Sequence, residues 1–457
     1  MKKKKKSPMR LLISLIFVSA IVGVVYLYLS PAFEQNKPEI ESEDSIYWNL
    51  KSKVKIKIKD DTGIKYYKVI FNDGSKDIVL DQKIINGNEK EIILEIEPPK
   101  LDMFSKDKNS YLEVEVVDNS KWNFLEGNQA LKRVNVEIDT KKPIANVIGN
   151  SRYIQRGGSA VVVVKVKDEN LKEAYISFND QKRFKLIPYH KENYYVALIA
   201  WPMDIESFAR VQLIVTDKAD NKTISKVPLY IQKKTIKKDR IKVSKKFIKN
   251  VSAAVLEQSF EPIPEKLEEI FVYSNTVLRD KNIKMIDQAV KKYASNDMIE
   301  NFDITSFKRL NGSKTVAGYG DRRYYYLDGK KINEAWHLGI DWASVKHAPI
   351  RASNEGIVIF KNYLGLYGNS IIIDHGMGMA TLYAHTSSQT VNVGDYVSKN
   401  QKIANTGSTG AVFGDHLHFG VLIQGVEVNP MEWMDKNWMK VRITDVLNKA
   451  KRDIDGK

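Results

Sequence analysis

A chain of 457 residues exceeds what one hydrophobic core organises, so roughly two to four domains are expected. Its 43% hydrophobic and 10% aromatic content excludes a disordered chain. The absence of cysteine excludes disulfides, thiolate metal sites and cysteine nucleophiles, and the net charge of +16 includes a basic N-terminal cluster, Lys2 to Lys6 with Arg10.

In chain order, residues 1–10 read as a basic tail, and Leu11 to Leu29 as an apolar run without charge. At about 1.5 Å per residue this run spans roughly 28 Å, close to the hydrocarbon thickness of a bilayer. A cleavable signal peptide has a shorter apolar core, about 7–15 residues, and then a small-x-small site. Here Tyr26, Leu27, Tyr28 and Leu29 carry the apolar run to its end, and the tyrosines suit the interface. The expectation is an uncleaved transmembrane anchor over 11–30, with the basic tail cytoplasmic and everything after about residue 31 exported. That places the protein in the inner membrane as a single-pass chain with its C-terminal domains in the periplasm. An exported region rarely meets nucleic acid and carries no motif for it, so no nucleic-acid partner is expected. The remaining lysines sit on solvated faces or attract an anionic envelope polymer.

Residues 31–48 read as a polar linker. From 49 to 235 the pattern is strand-like: VKIKIKDD (Val54 to Asp61) and VVVVKVKDE (Val161 to Glu169) alternate with period two. These stretches open a repeat of about 100–108 residues, with DTKKP (Asp139 to Pro143) between the copies. The fold class is mainly β and multidomain, with two β-sandwich modules, 49–140 and 141–235, that resemble immunoglobulin-like ones. They are expected to act as a spacer. Residues 236–309 read as a charged strand or linker and then a helical, regulatory segment. Within it Pro262 to Ala294 is expected to be helical, with Pro264 in the first turn and a break near Arg279 to Asn282. Short, glycine-punctuated strands over 310–435 predict a compact antiparallel β-domain, followed by a C-terminal tail, 436–457.

The chemistry concentrates in that β-domain. Of seven histidines, only His190 lies outside the segment from His337 to His418. In HLGID, His337 and Asp341 are four apart, which puts both on one side of a strand and roughly on one face of a helix too. In GDHLHFG, His416 and His418 are two apart and project to one face, with Leu417 and Phe419 on the other. TLYAH ends a third strand at His385. Imidazole and carboxylate are good zinc ligands, and three protein ligands with an open position describe a catalytic site. One Zn2+ on His337, Asp341 and His418 leaves His385 and His416 beside it, free to orient a water, take its proton and stabilise the oxyanion.

H-x-x-x-D, then YAH, then H-L-H-F-G resembles the LytM/lysostaphin-type zinc metallopeptidases. The resemblance runs from about Asn311 to Trp433 and includes GNSIIIDHGMGMATLYAH (Gly368 to His385) and VNVGDYVSKNQKIANTGSTG (Val391 to Gly410). The helical stretch before it looks like the region preceding this domain in membrane-anchored Gram-negative members. It implies a zinc endopeptidase that cuts peptide cross-links of peptidoglycan, with His337, Asp341 and His418 as metal ligands and His385 and His416 as catalytic histidines. Two residues depart from the common form: His347 and Ala348 stand where Gly-Thr often precedes the proline. His347 reads as structural, His375 as a turn residue, and Tyr383 as core or rim. Residues contacting substrate are not identifiable. The anchored architecture favours the D-alanyl to meso-diaminopimelate cross-link in a Gram-negative organism; a glycine bridge is the Gram-positive variant. The alternatives are an inactive LytM-like activator of a separate amidase and a non-enzymatic envelope adaptor. A biotinyl-carrier hairpin is disfavoured because Ser408-Thr409-Gly410 stands where a lysine is required.

Overall fold

The computed structural model describes residues 8–100 and 109–456, and the basic cluster Lys2 to Lys6 lies outside them. Among the described residues, one helix, Pro8–Leu29, is long and apolar enough to cross a membrane, and its apolar window is not buried in the protein. The chain divides into two compact units, residues 1–142 with 216–222, and residues 143–215 with 223–457.

In the first unit, the alternation in Val54–Lys59 sends Ile56 and Ile58 into the core and the lysines outward. That strand lies between Glu39–Glu41 and Glu91–Ile96 in one sheet. A second sheet is ordered Ser45–Trp48, Gln129–Ile138, Tyr111–Asp118, Ile64–Asn72, Asp77–Ile84. Trp48, Ile58, Phe71, Leu94 and Val114 share one core. The chain leaving the N-terminal helix is fastened to this unit: Lys121 N donates to Ala32 O at 2.7 Å, and Asn128 Nδ2 to Glu34 O at 2.9 Å.

The second unit begins with a four-stranded sheet ordered Ile187–Tyr189, Lys191–Ala200, Ser159–Lys167, Ile144–Asn150. It does not stand apart as the spacer reading expects. Trp433 Nε1 donates to Ser159 Oγ at 2.9 Å, Ser159 N to Glu432 Oε2 at 2.9 Å, and Asn429 N to Gly157 O at 2.7 Å. One continuous hydrophobic cluster includes Val162 and Leu198 together with Phe419 and Trp433. The VVVV run is buried on both faces because the C-terminal domain covers what a free sandwich would expose.

The C-terminal domain is built on a sheet ordered Lys314–Ala317, Ile340–Ala343, Leu417–Ile423, Met379–Ala384, Asn369–Asp374, Gly356–Tyr363, Tyr396–Val397. These neighbours are antiparallel. A smaller sheet, Pro349–Arg351, Lys402–Thr406, Thr386–Gln389, lies beside it in the chain path. The charged stretch Lys238–Lys242 is a strand, paired parallel to Arg322–Leu327.

Other expectations also differ from the structure: Glu39–Glu41 and Ser45–Trp48, within the expected linker 31–48, are strands of the first unit because Ile40, Ile46 and Trp48 pack on its core. The helix opens at Leu267, not at Pro264, and runs through to Tyr293. Its irregularity is a π-turn over Ser274–Leu278, where Ser274 Oγ bonds Phe271 O and Thr276 Oγ1 bonds Val272 O. The expected tail is helical: Lys436–Met439, Lys440–Thr444 and Asp445–Asp455 follow one another, with Met439, Ile443, Leu447 and Ala450 buried at three- and four-residue spacing.

Candidate metal centre and active-site cleft

Strand register assembles the site. Asp341 lies opposite His418 across one strand pair, and His418 lies opposite Ala384 across the next. Asp341, His418 and the residue preceding His385 are thus in one row. His337 enters from the loop before this row, held by His337 N to Asp321 O at 3.0 Å and Gly320 N to His337 O at 2.7 Å. His385 follows its strand in a left-handed conformation, φ 60°, which turns its ring back over the sheet. His385 N donates to Tyr367 O at 2.8 Å.

Three donor atoms converge. His337 Nε2 lies 3.0 Å from Asp341 Oδ1 and 3.1 Å from His418 Nδ1, and His418 Nδ1 lies 2.8 Å from Asp341 Oδ1. Ligand atoms around a tetrahedral zinc at about 2.0–2.1 Å stand roughly 3.3 Å apart, so the set needs only a small expansion to take the ion. Its tautomers also suit a cation. His337 Nδ1 donates to Gly318 O at 2.7 Å, which leaves the Nε2 lone pair facing His418 Nδ1. His337, Asp341 and His418 are all buried.

His385 and His416 complete the cleft with ring centroids 4.9 Å apart. His385 Nδ1 donates to Thr409 O at 2.9 Å and His416 Nδ1 to Gly414 O at 2.8 Å, so both rings keep Nε2 free. His416 Nε2 is 3.7 Å from Asp341 Oδ1. Burial, with His416 and His418 beside it, pushes His385 well below the usual imidazole range. Burial brings His418 down to about 4 against the pull of Asp341. Burial raises the Asp341 carboxyl, but His337 and His418 more than reverse this and hold it well below the ordinary range. His385 and His418 are therefore neutral and Asp341 is ionised at neutral pH, the state in which His418 and Asp341 can bind a metal.

The remaining histidines do other work. His375 Nδ1 bonds Glu355 O at 2.6 Å and Nε2 bonds Thr381 Oγ1 at 2.8 Å, so both nitrogens are engaged. His347, at φ 57°, bonds Ser387 Oγ and Thr406 O, each at 3.1 Å, in the smaller sheet. Tyr383 is buried, with Ser353 N donating to its hydroxyl at 2.8 Å, and does not line the cleft.

Sequence reasoning missed several parts. Arg323 Nη2 lies 3.2 Å from Asp341 Oδ2, so the guanidinium holds one carboxylate oxygen while the other faces the histidines. Nothing local in GDRRYYY reveals this, because the partner arrives from another strand. Gly339, inside HLGID, packs against His418: a Cβ there would sit 2.5 Å from its Cε1 and 2.8 Å from Phe419 O. Tyr367 walls the cleft with its hydroxyl donating to buried Glu427 at 2.6 Å. The upstream segment contributes Val243, Phe247, Phe271 and Arg279 to the wall of the cleft, which holds about 480 Å³. Phe247 and Phe413, both in the cleft wall, stack with ring centroids 4.3 Å apart.

Residues 335–430 match the model of Peptidase family M23. Over 95 residues the chain is 43% identical to the DD-carboxypeptidase/endopeptidase Mpg of Neisseria meningitidis, which covers 21% of this chain and 22% of that protein. Over 113 residues it is 38% identical to the murein hydrolase activator NlpD of Salmonella dublin, covering 23% and 30%. The catalytic domain of lysostaphin from Staphylococcus simulans is 31% identical, covering 27% of this chain and 94% of that one, with a TM-score of 0.24. The chain thus spans under a third of the length of these curated relatives. The segment matched by the family model, residues 335–430, contains all five site residues, and that segment is a Peptidase family M23 domain.

Proposed function

We propose that the protein is a zinc-dependent peptidoglycan endopeptidase, anchored in the inner membrane by Pro8–Leu29 and active in the periplasm. The observation that carries this reading is the convergence of His337 Nε2, Asp341 Oδ1 and His418 Nδ1 beside two histidines whose Nε2 atoms are free. His337, Asp341 and His418 would hold the metal, which when bound would supply Lewis acidity toward a peptide carbonyl and lower the pKa of a water. His416 Nε2 is positioned to take the proton of the attacking water, since it lies nearest the ligand carboxylate. His385 Nε2 faces the same space and, with its Nδ1 proton given to Thr409 O, offers a second lone pair that accepts from the water and orients it. Arg323 orients Asp341. The substrate bond we assign is the D-alanyl to meso-diaminopimelate cross-link, on the strength of the anchored architecture and the named endopeptidase among the relatives.

The activator reading draws on NlpD. Against it stands the complete set of five site residues, which a scaffold has no need to keep in this geometry. We also read the upstream segment as restraining activity, because it walls the cleft through Phe247, Phe271 and Arg279. The two β-modules are read as immunoglobulin-like. The test is the metal content of residues 31–457: one zinc per chain in the wild type and loss of it in His337→Ala. Absence of zinc from a folded wild type would remove the catalytic reading.

A further inference from the structure

The turn Lys121–Gly127 of the first unit presents apolar side chains to solvent in succession. Trp122 is 39% exposed, Phe124 96% and Leu125 65%. Single exposed hydrophobes are common on protein surfaces, but here the backbone is also in an unfavourable state. Asn123, Phe124 and Leu125 have φ of 50°, 57° and 72°. Each left-handed non-glycine residue costs roughly 1–2 kcal/mol. The turn is locked by Trp122 N to Ser120 Oγ at 3.1 Å, Glu126 N to Asn123 O at 3.1 Å and Gly127 N to Trp122 O at 3.2 Å. The consequence is that Phe124 and Leu125 project outward instead of folding back onto the sheet.

The place of this turn gives those side chains a partner. Lys121 N bonds Ala32 O at 2.7 Å, and Ser120 Oγ bonds Glu34 O at 2.6 Å. Ala32 is only three residues beyond Leu29, the last residue of the apolar helix. Three residues reach at most about 11 Å, even fully extended. The headgroup layer on each side of a bilayer is roughly 5–8 Å deep. The turn is therefore tethered at the level where the helix leaves the hydrocarbon, beside Tyr26 and Tyr28, each 68% exposed. Trp and Tyr are enriched at that level, and Phe and Leu enter the acyl boundary next to it. Lys121 in the turn and Lys65, whose Nζ reaches Glu126 O at 3.1 Å, flank the apolar tip with positive charge suited to anionic headgroups.

We infer that the Trp122–Leu125 turn inserts into the outer phospholipid interface of the membrane spanned by the N-terminal helix. The inference rests on the anchor reading above. Its structural effect is to hold the first unit to the membrane at two points, which removes the free rotation that a single-helix stalk leaves.

The chain has no cysteine, so one introduced thiol is a unique label. Full-length Phe124→Cys and Leu125→Cys variants, labelled with an environment-sensitive fluorophore, are reconstituted in phosphatidylethanolamine/phosphatidylglycerol vesicles containing nitroxide lipids. Val22→Cys in the helix and Lys76→Cys in an exposed turn of the same unit serve as references. The expected result is quenching at 124 and 125 at least about twofold stronger than at 76, and approaching that at 22. Quenching at 124 and 125 equal to that at 76, with 22 quenched, overturns the docking of the turn and leaves the anchor standing. No quenching at 22 overturns the anchor and the docking together. Both probe positions are exposed, and an unchanged Tm verifies that each variant is folded.

Discussion

Gly339→Ala tests whether the metal centre is as tightly built as the coordinates indicate. The added Cβ would lie 2.5 Å from His418 Cε1, whereas ordinary contact begins near 3.4 Å, so the ring must withdraw by about 0.9 Å. Ligand positions tolerate only about 0.2 Å before coordination suffers. The other obstruction, Phe419 O at 2.8 Å, belongs to the strand paired with Ile340 and cannot yield without opening that register. The expected loss of zinc affinity exceeds the 10–100-fold that removal of an outer-shell partner costs, with about 1–3 kcal/mol of overpacking destabilisation in the metal-free protein. Chelator competition gives the affinity, and thermal unfolding in EDTA gives the second quantity. Gly414→Ala is the control, because nothing lies within 4 Å of its added Cβ. Wild-type zinc affinity in Gly339→Ala would show that His418 is not a ligand in the arrangement described.

Other outcomes follow from the same geometry. His385→Ala and His416→Ala should retain one zinc and lose about 10²–10⁴-fold in kcat, whereas Asp341→Ala should lose zinc; metal analysis beside a turnover assay separates the two classes. Phe247→Ala, by removing a stacked pair worth about 0.5–1.5 kcal/mol in the cleft wall, should raise kcat/KM up to about tenfold if the upstream segment restrains entry, and an unchanged or lower value refutes that restraint. Burial pushes Glu432 up to about 7 from 4.5. A raised carboxyl contributes fully below pH 4.5 and its contribution is lost as pH rises through 7, so Glu432→Gln should stabilise the protein at pH 8, by at most roughly 3 kcal/mol, and not at pH 4. Denaturant unfolding at the two pH values checks the sign.

The site was legible in the sequence because its parts sit in short motifs on strands of period two. HLHFG puts His416 and His418 at a spacing that extended backbone converts into one face, and cross-strand pairing sets His418 opposite Asp341, whereas His337 of HLGID precedes its strand and enters from a loop. Arg323 and Tyr367 were not legible, since their roles depend on which strands and loops meet and no local pattern encodes that. Gly339 was legible in principle: a glycine between two ligands signals close approach, although its φ is unremarkable and only packing requires it. The fusion of residues 143–215 with the C-terminal domain was hidden because Val161 to Val164 read equally well as the buried strand of a free sandwich. The final helix was overlooked although Met439, Ile443, Leu447 and Ala450 keep a helical period, because interspersed lysines and aspartates lower its mean hydropathy.

The most direct test is mass spectrometry of muropeptides from cross-linked diaminopimelate-type peptidoglycan after exposure to zinc-loaded residues 31–457. The account predicts conversion of cross-linked dimers to monomers by the wild type, and intact dimers with His416→Ala carrying the same zinc content. Intact dimers with a wild type that holds one zinc per chain would contradict it.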